Sequence, residues 1–239
     1  THTYSKIRLW GSIGFIALVV VAGAMLDIYG PSFFIPLCIG LMAGIFLTSL
    51  WVKEPDSTQV KGDESQENGT KVLSKVFICF ILANLMLQIS FGPFYGFFAL
   101  YMQDLGHSGV TTGWLIAAGV IAEVFVFIYA GRAIEKYGVK AVMTFCLIVT
   151  GIRWLVLGHL ANSFAMLLSS QLIHGFSFAL MHAASMHFVH RYFGKGQRSR
   201  GQALYSSLSF GLGGALGNYI SGLLWDQGTG AATALTLAS

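Results

Sequence analysis

The stretch that decides the fold runs from Gly113 to Leu160: GWLIAAGVIAEVFVFIYA (113–130), GRAIEKYGVK (131–140) and AVMTFCLIVTGIRWLVLGHL (141–160). Two apolar segments of membrane-spanning length flank a short charged connection. The first contains one carboxylate, Glu123, and the second one guanidinium, Arg153. Every other Asp, Glu, Lys and Arg of the chain falls in a connection or at a segment end. A charge inside the hydrocarbon costs a few kcal/mol at least, so such a residue marks function and needs a partner inside the bundle.

Composition sets the class. Of the 239 residues, 55% are hydrophobic and only 10% charged, with a mean hydropathy of +0.68. A soluble domain carries about 25% charged residues, so this is an all-α membrane protein. The net charge of +4 does not point to nucleic acid, because the basic residues border apolar segments. Cys38, Cys79 and Cys146 lie far apart in such segments and read as small buried hydrophobes. No metal-ligand spacing, phosphate loop or nucleophile motif is present, and no cofactor is implied.

A transmembrane helix needs about 20 apolar residues. Seven segments qualify, at roughly 9–28, 31–51, 74–102, 111–131, 139–158, 163–190 and 201–225, and an eighth begins near 229. Thirteen of the 14 Lys and Arg residues lie before the first segment or in the second–third, fourth–fifth and sixth–seventh connections. The alternate connections carry none. This asymmetry places the basic connections in the cytoplasm, with His107 and Asn162 outside. Residues 52–73 are long, polar and rich in Glu, Asp, Ser and Gly, and read as a flexible cytoplasmic linker. Six segments follow it and two precede it. A two-half architecture would make 1–51 the last two helices of one six-helix half and 74–239 the other half with its final helix incomplete.

The third segment is interrupted by Gly92-Pro93, which implies a kink. Asn84, Gln88, Phe91 and Tyr95 share one of its faces. They read either as interhelical glue and packing or as a polar-aromatic cavity wall. The sixth segment carries a stripe of Gln171, His174, Phe178, His182 and Ser185, with His174 about 15 Å from its outer end. His174 reads as a hydrogen-bonded packing residue or, beside Glu123 and Arg153, as a proton-relay member. Gly40-x-x-x-Gly44 and Gly213-x-x-x-Gly217 let helices approach closely. Counting along the helices puts Glu123 about 12 Å and Arg153 about 21 Å from the inner face. A direct pair needs their faces to meet, and His174 or a substrate is the alternative partner.

These residues resemble the major facilitator superfamily, in which two six-helix halves are joined by a polar cytoplasmic loop. Gly131, Glu135, Lys136, Gly138 and Lys140 are similar to that family's cytoplasmic gating motif, G-x-x-x-D-R-x-G-R-K, in degenerate form. The strings YSKIRLWGSIGF, YGFFALYMQDLGHS, GWLIAAGVIAEVFVF, GIRWLVLG and QLIHGFSFALMHAA closely resemble the phenylpropionate permease-like branch of proton symporters, which is related to lactose and nucleoside permeases. The resemblance makes the chain helices 5–12 of twelve, the last truncated. It implies a non-enzymatic secondary transporter of the bacterial cytoplasmic membrane, acting as a monomer when full length. The partners would be protons and a small organic solute, with an aromatic carboxylate favoured over a sugar or nucleoside. Glu123, Arg153 and His174 fall on the helices that carry a Glu, an Arg and a His in lactose permease-type symporters. They are expected to couple protons. Asn84, Gln88, Tyr95, Arg153, Gln171 and His182 are expected to contact substrate. A membrane-embedded enzyme using His174 or His182 as general base, and a non-transporting sensor or scaffold, are the competing classes.

Overall fold

A computed structural model describes residues 2–51, 74–226 and 229–239. The expected linker at 52–73 lies outside the described residues. The described elements are helical throughout: α1 (His2–Tyr29), α2 (Phe34–Ser49), α3 (Lys75–Ser90), α4 (Gly92–Asp104), α5 (Gly109–Tyr137), α6 (Val139–His159), α7 (Phe164–His174), α8 (Met181–Tyr192), α9 (Arg198–Tyr205), α10 (Gly214–Trp225) and α11 (Ala231–Ala238). Backbone polar groups have no water to bond in a bilayer, so a chain this apolar must satisfy them within each helix. Among the described residues five helices are, by length and composition, long and apolar enough to cross a membrane, 31–49, 75–104, 109–137, 139–159 and 164–192, and a shorter apolar helix spans 13–29.

The third segment breaks where Gly92-Pro93 requires it. Phe91 sits between α3 and α4 at φ −78°, ψ −8°, and Pro93 falls in the first turn of α4, where its missing N–H is harmless. The connection read as GRAIEKYGVK is not a loop. α5 runs on through Gly131, Glu135 and Lys136 to Tyr137, Gly138 alone makes the turn at φ +80°, and Lys140 lies in the first turn of α6. Ala, Ile, Glu and Lys are helix formers, so the helix continues past the apolar stretch.

Small residues set the closest contacts. α3 and α4 pack on the run α9–α10 through glycine. A Cβ on Gly92 would lie 2.1 Å from the Gly217 carbonyl oxygen, and one on Gly217 would lie 2.5 Å from that of Ile89. Gly213 meets Gln88 and Leu85 in the same way. Here the expected close approach is present. Gly40 and Gly44 have no atom within 4 Å of an added Cβ, and α2 has no buried residue, because no described helix lies against it. The cysteines also differ among themselves: Cys146 is buried, Cys38 partly so and Cys79 exposed, all as free thiols.

Two π-helical turns interrupt the later helices, Gly175–Leu180 between α7 and α8 and Ser206–Gly213 between α9 and α10. One extra residue per turn shifts the register of the face that follows, and such turns gather at functional sites. The first begins directly after His174. At that point Gly175 brings α7 against α5: a Cβ there would lie 2.9 Å from Ala122 O and from Val126 Cγ2. Gly119 on α5 lies opposite Gln171 O and the His174 ring, at 3.4 and 3.5 Å for an added Cβ.

Candidate functional site

The glycine contacts between α5 and α7 bring Glu123 and His174 together. His174 Nε2 lies 2.9 Å from Glu123 Oε1, with the side chains 7% and 16% exposed. Each therefore supplies the partner that an ionisable group in an apolar segment requires. His174 Nδ1 has no hydrogen-bond partner among the described residues. The imidazole stacks on Phe178, centroids 5.6 Å apart at 6°, and Phe178 stacks on His182, 6.3 Å apart at 7°. The stripe expected on the sixth segment is thus a file of three parallel rings.

The pair faces a cavity of about 530 Å³, lined by Phe15 of α1, Phe94 and Tyr95 of α4, Glu123 of α5, and Gln171, His174 and Phe178. That size and an apolar, ring-rich wall with few polar groups are typical of small-molecule sites. Gln171 is fully buried. Its Nε2 donates to Ser170 Oγ at 3.1 Å, and its Oε1 has no partner among the described residues. Among the described residues, Gln171 Oε1 and His174 Nδ1 are thus an unpartnered acceptor oxygen and an unpartnered ring nitrogen near a carboxylate.

Arg153 is also fully buried, but in different surroundings. Its Nε donates to the Ser170 carbonyl at 2.8 Å, while Nη1 and Nη2 have no hydrogen-bond partner among the described residues. Aromatic faces hold the cation instead: Trp154 at 4.3 Å, Phe94 at 4.4 Å and Phe91 at 5.5 Å from the guanidinium carbon. A planar guanidinium against ring faces is a cation–π arrangement, stronger when desolvated. Phe94 both lines the cavity and touches Arg153, so the guanidinium lies behind the wall. No hydrogen bond joins it to Glu123, and the alternative in which His174 meets the carboxylate is the one observed.

The remaining expected residues lie elsewhere. Asn84 Nδ2 donates to Phe80 O at 2.9 Å, and its Oδ1 accepts from Ser185 Oγ at 2.8 Å; it ties α3 to α8. Gln88 is buried where Gly213 packs against it. His182 Nδ1 lies 3.1 Å from the Tyr205 hydroxyl. Of the polar positions on the third and sixth segments, Tyr95, Gln171 and His174 line the cavity. Among the gating-motif positions, Glu135 is exposed with no ion pair among the described residues, and Gly131 has no atom within 4 Å of an added Cβ. Phe94 and Trp154 escaped the sequence reading as partners of the cation. The one signal was Trp154 next to Arg153, an aromatic beside a buried charge.

Residues 1–235 match the model of the family described as MFS_1 like family. The chain is similar to a probable 3-phenylpropionic acid transporter of Escherichia coli strain K12, 25% identical over 228 residues and covering 93% of this chain and 59% of that protein. It is also similar to a putative nucleoside transporter, YegT, of the same organism, 25% identical over 240 residues, covering 94% of this chain and 56% of that one. Maltose permease of Geobacillus stearothermophilus is 24% identical over 230 residues, covering 94% and 57%. The chain spans under three-fifths of the length of these curated relatives. The crystal structure of a mutant nucleoside transporter NupG superposes with a TM-score of 0.77 over 98% of this chain and 64% of that one, at 19% identity, a likeness of fold alone. With the family match over almost its whole length, the chain belongs to the MFS_1 like family of the major facilitator superfamily and is a multi-pass membrane protein.

Proposed function

We propose that the full protein is a proton-coupled symporter that carries a small organic anion, an aromatic carboxylate before a sugar or nucleoside, into a bacterial cell across the cytoplasmic membrane. The observation that carries this is the Glu123–His174 contact on the wall of a ring-lined cavity. In this reading residues 1–51 and 74–239 belong to two halves joined by 52–73, and rocking of the halves exposes the cavity alternately to each side. A carboxylate hydrogen-bonded to an imidazole can hold or release a proton as the cavity opens, because water reaches it on one side at a time.

The cavity supports an aromatic substrate. Phe15, Phe94, Tyr95 and Phe178 offer ring faces and edges. A sugar would bury many hydroxyls against a wall with few partners, at a cost of about 1–3 kcal/mol for each unsatisfied group. Arg153 favours an anion without touching it, through positive potential that a low-dielectric wall screens weakly. Gln171 and Tyr95 supply polar contacts. Asn84, Gln88 and His182 act one layer out, on the helices that frame the site. The test is uptake of labelled phenylpropionate by the full-length protein in proteoliposomes with an imposed inward proton gradient. Accumulation that collapses with a protonophore supports the reading. Uptake indifferent to the gradient, or of maltose in preference, counts against it.

A further inference from the structure

The cavity leaves unused a carboxylate at the opposite end of α1. α1 and α5 cross where a Cβ on Gly23 would lie 2.2 Å from Gly109 O, one on Gly109 2.6 Å from Gly23 O, and one on Gly113 3.0 Å from Val19 O. At this crossing Asp27 Oδ1 accepts from Gly109 N at 2.7 Å and Oδ2 from Val110 N at 3.0 Å. The next amide, Thr111 N, donates to Ser108 Oγ at 3.2 Å. The first turn of α5 is therefore capped by its own N-cap serine and by a carboxylate from a helix more than 80 residues earlier. A carboxylate at a helix N-terminus gains from the dipole and from charge-assisted hydrogen bonds.

The location gives this cap a consequence. α1 and α5 run in opposite directions, and both line the cavity farther along, α1 at Gly11 and Phe15 and α5 at Ile116, Val120 and Glu123. Asp27 lies twelve residues beyond Phe15 on α1, about 18 Å along the helix. By the charge asymmetry of the connections, this is the non-cytoplasmic end. The Gly23–Gly109–Gly113 seam and Asp27 thus close the two helices over the cavity on the side away from the basic connections. We infer that Asp27 is a latch: its two hydrogen bonds hold α1 to α5 while the outer side is closed, and they must break when that side opens. The latch rests on the two-half transport reading for its role, though its mechanical effect is measured without transport.

The experiment uses the full-length protein with its native cysteines replaced by serine and Ile116→Cys as a reporter in the cavity wall. A membrane-impermeant maleimide is applied to intact cells, and separately to inside-out vesicles. Asp27→Asn leaves one acceptor oxygen in place of two. It should raise labelling from outside about fivefold, the weight of one carboxylate at a helix N-terminus, and lower labelling from the cytoplasmic side. Asp27→Glu, which keeps the carboxylate, should fall between Asp27→Asn and wild type. Outside labelling that does not move overturns the latch. So does a rise on both sides together, because that is general loosening and not a shift between two states. Wild-type uptake measured in parallel tests the transport reading separately: its absence would sink that reading, while the labelling still decides the latch.

Discussion

The two charges in apolar segments are accommodated in opposite ways. Glu123 meets His174 on a cavity wall. Arg153 is sealed among Phe91, Phe94 and Trp154 with two nitrogens that have no hydrogen-bond partner among the described residues. An imidazole and a carboxylate can gain or lose a proton between them, whereas a guanidinium stays charged at any physiological pH. The first arrangement suits a switch and the second a fixed source of potential. The difference lies in what surrounds each charge, and substitutions can separate the two roles.

The largest effect is expected at Arg153. Arg153→Ala removes the cation and leaves three ring faces around a void, so calorimetric titration of the purified full-length protein with phenylpropionate should show no binding. Arg153→Lys keeps the charge but not the plane. It should therefore keep most of the affinity and instead lower the melting temperature, because the guanidinium–ring contacts it loses, about 2 kcal/mol when desolvated, stabilise the fold. Wild-type affinity in Arg153→Ala would reduce the residue to packing. Next comes Gly175→Leu, which forces a side chain into Ala122 and Val126. Overpacking of this kind costs about 1–3 kcal/mol, and here it would separate His174 from Glu123. Proton-driven uptake should drop at least about tenfold and the melting temperature should fall. Gly131→Leu, at a position with open space, is the matched control and should leave the melting temperature unchanged. The smallest effect is expected at Glu135, exposed at the end of α5. Glu135→Ala should change the uptake rate within about threefold, through contacts formed in one gating state only, while equilibrium binding stays as in wild type. A large affinity loss with normal turnover would move Glu135 into the substrate site.

What the sequence could reveal follows from the range of each interaction. The helical segments and the break at Gly92-Pro93 are local properties, visible as apolar length and backbone chemistry. Glu123 and His174 stood out because each is a polar group where none is expected. Their contact was one of several options, because the register between α5 and α7 depends on Gly119, Gly175 and a π-helical turn, and that turn has no marker in the residues that form it. The aromatic box around Arg153 combines α4 with α6, some 60 positions away, and no periodicity within either segment reports that their faces meet. Asp27 was invisible for the opposite reason: a carboxylate at a segment end looks like ordinary interfacial chemistry until the helix start it caps is seen. The boundary of α5 was misplaced because hydropathy falls at Gly131 while helix propensity does not.

In the proposed transport reading, the Glu123–His174 pair carries the coupled proton. This role is tested most directly by Glu123→Gln in the full-length protein, assayed two ways in the same proteoliposomes. Glutamine imitates the protonated carboxylate and cannot release a proton. Exchange of internal for external phenylpropionate at equal pH should therefore continue near the wild-type rate, while accumulation driven by a proton gradient should be lost. Accumulation by Glu123→Gln at the wild-type level would contradict the account.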